Sequence, residues 1–175
     1  MLDHVTVRKF LDYDPDTGVF TWRAKPSNRA NRIRVGKPAG HVWRGPRGDA
    51  YNKLAIRGQA YRAARLAVFW MTGAWPSSEV DHKDGDTLND RWSNLRLASR
   101  LENSRNRAAQ INNKLGVKGV YFDKTLRRYR AQIKGDGRRW HLGLFDSTEE
   151  AHVAYCAAAK KYHGEFARIL SPQAV

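Results

Sequence analysis

A chain of 175 residues has room for one domain or two small ones, neither of which would bury a large core by itself. Lys and Arg total 32 against 17 acidic residues, a formal net charge of +15, with Trp, Tyr and Phe interleaved among the cations, so the simplest partner is a polyanion. No stretch is long and apolar enough to span a bilayer, no charged-then-apolar leader opens the sequence, and no long amphipathic basic helix suits a membrane surface. Cys156 is the single cysteine. It excludes a disulfide framework or a Cys-based zinc knuckle within one chain, is read as a small buried side chain on a helix, and fits a reducing cytoplasm.

In chain order, Val5 to Leu11 is expected as a short helix, and Asp12 to Gly18 is a run of turn formers. Val19-Phe20-Thr21-Trp22 then reads as a strand. Tyr13, Phe20 and Trp22 are expected to be core, the alternative being a stacking platform for bases. Residues 23–48 mix Arg and Lys with Gly, Pro, Asn and Ser, and are read as a long loop or loosely ordered basic arm. In it Arg29, Arg32, Arg34, Lys37 and Arg44 are either solvated surface or phosphate contacts. Tyr51 to Arg57 alternates as a strand with Leu54 and Ile56 inward and cations outward, a face that suits a DNA groove. Ala60 to Met71 is expected as a helix with an apolar stripe, stopped by Thr72-Gly73 and Pro76.

The densest chemistry lies between Glu79 and Arg107. Val80, Asp81 and His82 end a short strand, Asp84-Gly85-Asp86 turns, Leu95 and Leu97 alternate in a second strand, and Ser99 with Glu102 starts a helix carrying Asn103 and Asn106. Asp81 offers an anionic oxygen and Asn103 a neutral carbonyl oxygen, ligands that suit Mg²⁺ or Mn²⁺ better than Zn²⁺. His82, beside Asp81 and pointing to the other side of the strand, can take a proton from water near neutral pH. Asn94 carries a donor and an acceptor and can tie the two sides of the loop together. Taken singly, each residue would more often be a cap or turn residue; the joint pattern is specific.

Asp81-His82, Asn94-Leu95 and Asn103 together resemble the HNH, or ββα-metal, endonucleases, and within them the phage homing enzymes whose third motif residue is Asn. The resemblance implies His82 as general base, Asp81 and Asn103 as ligands of one divalent metal on the scissile phosphate, and Asn94 as the structural asparagine of the catalytic loop. The run Tyr61 to Ala67, followed by Gly-x-Trp-Pro, resembles the segment that precedes the motif in phage HNH proteins. That run commonly reads His-Arg-Leu-Ala; here Ala64 takes the first position, removing a phosphate or metal contact.

Beyond the polar stretch Gln110 to Lys114, read as a linker and domain boundary, come three strand-like pieces, Val117 to Phe122, Tyr129 to Lys134 and Arg138 to Phe145. Asp136-Gly137 is a hairpin signal, and Ser147 with Glu150 opens a helix rich in alanine that runs to about Tyr162 and stops at Gly164. Alternation puts Tyr129, Ala131 and Ile133, with Trp140, Leu142 and Leu144, on an apolar face, and leaves a cationic face without acids. Gly-Val-Lys-Gly-Val-Tyr, Arg-x-Gln-Ile, His-Leu-Gly-Leu-Phe and Glu-Glu-Ala-x-x-Ala-Tyr resemble the AP-two/ERF DNA-binding domain. That resemblance implies a sheet in the major groove, with Lys118, Tyr121, Arg130, Gln132, Lys134, Arg139 and His141 on the DNA side. Several of that family's Arg and Trp contacts are replaced, so its target sequence does not carry over.

The expectation is an α+β chain: a basic α/β region over 1–76, a ββα-metal core over 77–109, a linker over 110–115, and a three-stranded antiparallel sheet with one helix over 116–170. The function expected is a homing-type, metal-dependent endonuclease acting on double-stranded DNA. It would nick, be monomeric or weakly dimeric, and act in the cytoplasm of a bacterial host as a phage or prophage product. The rival reading is a non-catalytic DNA-binding regulator using the C-terminal domain. A third, an RNA-binding protein, fits the charge but neither motif.

Overall fold

The computed structural model describes residues 2–26, 32–46, 48–107, 113–135 and 137–169. Arg29 of the basic segment, residues 110–112 of the expected linker, Asp136 of the hairpin signal and residue 170 fall outside them. The fold is α+β, with small antiparallel sheets, and divides into two compact units, Met1–Ser99 and Arg100–Val175.

The first unit opens with α1 (His4–Phe10), capped by Asp3, whose carboxylate accepts the Thr6 N–H at 2.7 Å. β1 (Leu11–Tyr13) and β2 (Phe20–Trp22) form a hairpin around the expected turn. Its inward Leu11, Tyr13, Phe20 and Trp22 are buried core, so the aromatic trio is no exposed stacking surface.

The described residues of the basic segment are less loose than expected. Trp22 donates its N–H to Lys37 O at 3.0 Å and accepts that of Gly36 at 2.7 Å, while Ala39 donates to Phe20 O at 2.7 Å. Residues His41–Arg44 then form β3 against β4 (Ala50–Ile56), with Trp43 and Tyr51 opposite each other and their rings 4.8 Å apart. A cross-strand aromatic pair and a docked backbone supply what composition hid. Leu54 and Ile56 of β4 point into the core, as the alternation predicts.

The helix expected from Ala60 starts three residues late. Gln59–Arg62 pair with β4 as β5, and α2 covers Ala63–Thr72, ending at Gly73 with φ 75°. The tight turn at Arg57 and Gly58 returns the chain along β4, so strand pairing overrides the local helix signal. α2 buries Ala63, Ala64, Leu66, Ala67 and Phe69. Arg65 donates to Pro76 O and Ser78 O at 3.0 and 2.9 Å, fixing the lead into β6 (Glu79–His82), which pairs with β7 (Leu95–Ala98).

The second unit begins with α3 (Arg100–Arg105) and contains β8 (Val120–Asp123), β9 (Arg128–Gly135), β10 (Arg138–Phe145) and α4 (Thr148–His163). The sheet order is β10-β9-β8, all antiparallel. α4 is capped as expected: Ser147 Oγ accepts the Glu150 N–H at 3.2 Å, and Gly164 ends it. Ala151, Ala158 and Ala159 are small enough to bring the helix onto Val120, Ala131 and Ile133. Gly119 sits where a Cβ would overlap the Tyr155 ring and the Gln132 carbonyl, so only glycine admits this approach.

One expected side-chain direction is corrected. A bulge between His141 and Gly143 shifts the register, so Leu144 lies opposite Arg130 on the polar face and Phe145 takes its place against the core. Trp140 faces the helix side and stacks on Tyr162 at 5.7 Å.

Candidate active site and nucleic-acid interface

β6 and β7 present the motif. Their register sets His82 opposite Leu95 and Asp81 opposite Arg96, and residues 83–94 loop between them. The loop is held from within by Asn94. Its Oδ1 accepts the Asp84 N–H at 3.1 Å, and its Nδ2 donates to Asp84 Oδ1 at 3.0 Å and Asn89 O at 2.7 Å. The Lys83 N–H returns to Asn94 O at 2.9 Å, and Gly85 takes φ 76° at the turn. Burial opposes ionisation of Asp84, but the Asn89 amide, the Asp86 N–H, the Asn94 amide and nearby His82 outweigh it and hold the carboxyl below its ordinary range. A loop whose two ends share one amide keeps its shape without a large core beneath it.

His82 is buried, and its Nε2 lies 2.9 Å from Asp90 Oδ1. Asp90 is only 2% exposed, and its other oxygen accepts from Asn52 Nδ2 on β4 at 2.9 Å. Sequence reasoning missed both Asp90 and Asn52. Asp90 lies between Asn89 and Arg91 in the loop, and no local pattern announces a buried carboxylate whose partner sits 38 residues upstream.

Asp81 is likewise buried and carries a partner that sequence reasoning did not assign. Arg96 brings Nε and Nη2 to Asp81 Oδ2 at 2.9 and 2.7 Å. The β6–β7 register could have found it, since Arg96 is the residue opposite Asp81. Asn103 lies on α3, which groups with the second unit. Among the described residues no group of three or more His, Cys, Asp or Glu side chains could hold a metal ion by itself. The donor chemistry nevertheless fits a hard cation, which binds through one or two carboxylates with waters and substrate phosphate completing its shell. Ala64, at the position where a histidine was expected by resemblance, is buried in the apolar core and offers no polar contact.

On the second unit Arg130, Gln132, Arg139 and His141 line one shallow depression of about 340 Å³. The pairs Gln132–His141 and Lys134–Arg139 lie directly across β9 and β10, with Tyr121 opposite Arg130 on β8. Six of the seven expected contacts thus occupy one sheet face. Lys118 differs: its ammonium donates to Arg105 O, and burial together with Arg168 pulls its pKa down to about 8. The face is also not free of acids, as alternation suggested, because Asp123 Oδ2 accepts from Arg130 at 2.6 Å. The Leu126 and Thr125 N–H groups and Arg130 keep the Asp123 carboxyl below its ordinary range.

Comparison with known proteins agrees with both halves. Residues 61–105 match the HNH endonuclease family, and residues 115–165 match the AP2 domain. Protein 3.8 of Escherichia phage T7 is 32% identical over 114 residues, covering 63% of this chain and 93% of that protein. An uncharacterized HNH endonuclease, L560, of Acanthamoeba polyphaga mimivirus is 34% identical over 88 residues, covering 50% of this chain but 44% of the viral protein. No solved structure matches. HNH nucleases generally use a divalent metal, and an AP2 domain suggests DNA binding. With the HNH match running through β6, its braced loop, β7 and α3, and the AP2 match through the three-stranded sheet and α4, the chain belongs to the HNH endonuclease family and carries an AP2-like domain after its nuclease motif.

Proposed function

We propose that the protein is a metal-dependent, site-directed DNA endonuclease of the homing type, encoded by a phage or prophage and acting in the bacterial host. In this reading residues 77–109 form the nuclease core beside the basic region 1–76, 110–115 link it onward, and 116–170 bind duplex DNA. The observation that carries it is the pair of buried side chains at the end of β6: Asp81, and His82 held through Nε2 by Asp90, above a loop braced by Asn94.

His82 accepts a proton from water for in-line attack on phosphorus. Asn94 keeps the loop that carries Asp90 in register with β6. Asp81 and Asn103 are the ligands assigned to one Mg²⁺ or Mn²⁺, which when bound supplies positive charge to the phosphoryl oxygens. The products carry 5′ phosphate and 3′ hydroxyl. One centre per chain gives a nick, and a double-strand break needs a second event or a dimer. The cationic sheet face around Gln132 and His141 reads the major groove, with Lys134 and Arg139 on phosphates.

The test is supercoiled plasmid, or DNA of a related phage, incubated with wild type and His82→Ala in Mg²⁺, Mn²⁺ and chelator. Relaxed circles from wild type alone, only with metal, are expected; equal cleavage by His82→Ala would remove the assignment. One observation favours the second reading, a non-catalytic DNA-binding regulator: Arg96 already neutralises Asp81 Oδ2. In that case both proteins shift duplex DNA and neither cuts it.

A further inference from the structure

We infer that Asp90 is a positioning residue for the reacting histidine, and that Asn52 on β4 sets which oxygen Asp90 offers. The inference deepens the proposed function and rests on His82 as the general base.

The geometry fixes hydrogen-bond direction along the chain of three side chains. Asn52 Nδ2 has two hydrogens, and both are placed: one on Leu88 O at 3.0 Å, the other on Asp90 Oδ2 at 2.9 Å. Asp90 therefore accepts on Oδ2, and its Oδ1 faces His82 Nε2 at 2.9 Å. A carboxylate accepting on both oxygens makes Nε2 the donor, which in a neutral ring leaves the lone pair on Nδ1. The protein thus selects the nitrogen that takes the proton from water.

Asp90 and its loop neighbours are in turn tied to the β1–β2 hairpin and to β4. Tyr13 Oη, whose phenol burial and the Asp90 charge push up and keep protonated, donates to Asp90 O at 2.6 Å. Gly18, with φ 76°, lies so close to the Asp90–Arg91 peptide that a Cβ would overlap it. Arg91 Nε donates to Asp16 O at 2.8 Å, and the Trp92 N–H to Pro15 O at 2.9 Å. Thr87 Oγ1 donates to Ala50 O. A carboxylate that merely filled space at 2% exposure would cost desolvation; one that orients a base has a reason to be there.

The isosteric change Asp90→Asn separates orientation from packing. Because Leu88 O fixes the Asn52 amide as a donor, an asparagine at 90 must turn its oxygen to Asn52 and its NH₂ to His82. Nε2 then becomes the acceptor and the hydrogen moves to Nδ1. Expected are a fall in single-turnover rate on the order of 10²–10⁴-fold, DNA KM within about twofold, and a cooperative unfolding transition. Long-range ¹H–¹⁵N spectra, with the His82 ring identified through His82→Ala, should show Nε2–H in wild type and Nδ1–H in Asp90→Asn. Asn52→Ala, which leaves Asp90 ionisable, should lower the rate by about tenfold with KM again unchanged. A wild-type rate in Asp90→Asn, or an Nδ1–H ring in wild type, overturns the inference while His82→Ala still reports on the general base. If His82→Ala cuts as well as wild type, or wild type cuts nothing, the catalytic reading falls and this inference with it.

Discussion

Arg96 directs two N–H groups, Nε at 2.9 Å and Nη2 at 2.7 Å, onto a single oxygen of Asp81, across the strand register that places the two residues opposite each other. Both side chains are largely buried, so the pair balances a desolvation cost that neither would meet alone.

Arg96→Ala removes that guanidinium from a buried carboxylate and should cost about 3 kcal/mol or more in urea unfolding. Millimolar Mg²⁺ should raise the unfolding midpoint of Arg96→Ala more than that of wild type, because a cation bound only to the native state stabilises it. An equal response in both proteins would remove Asp81 from the ligand set.

Gly18→Ala should lower stability by about 1–3 kcal/mol, since alanine there combines left-handed backbone with overlap onto the Asp90–Arg91 peptide. Gly58→Ala is the control: φ is 81°, but nothing lies within 4 Å, so only the backbone penalty of about 1 kcal/mol remains. Paired denaturation curves measure the difference. Equal losses would mean that the hairpin yields at Gly18.

Lys118 gives a pH dependence. Burial first, and Arg168 second, lower its pKa to about 8 in the native state, against about 10.4 unfolded. Between those values the unfolded chain binds more protons, so this group makes stability rise as pH climbs from about 8 to about 10. Unfolding of wild type and Lys118→Met across that range should differ in slope, with the steeper rise in wild type.

On the sheet face the residues separate by role. Arg139→Ala or Lys134→Ala should weaken binding to all duplexes and reduce the slope of log K against log salt by about one. Gln132→Ala should leave the slope and relax base preference, as expected for a side chain that reads base edges. Asp123→Asn releases Arg130 from its 2.6 Å carboxylate partner and should tighten binding to unrelated DNA. Fluorescence anisotropy at several salt concentrations distinguishes the three.

Local signals carried much of the architecture. The turn at Gly85, the Ser147 cap, the β4 alternation and the sheet with its alanine-rich helix are each written within a few neighbouring residues. What stayed hidden depends on distant pairings. β5 formed where helix propensity pointed, because β4 was available to pair. The bulge at Leu142 moved Leu144 outward because one extra residue inverts every later side chain. In the site itself His82, Asp81 and Asn94 stand out by spacing, whereas Asp90 owes its place to Tyr13, Gly18 and Asn52, which no motif connects to it.

That dependence bears on portability. The stretch from Glu79 to Ala98 looks like a cassette that could be cut out and carried to another protein, yet its loop is shaped from outside by a hairpin more than 60 residues earlier in the chain and by one amide on β4. A graft of the motif alone would carry the histidine and leave behind the scaffold that aims it. A graft that keeps the proposed activity would therefore have to carry the β1–β2 hairpin and β4 along with the motif, and α3 as well, because Asn103 is the second proposed metal ligand.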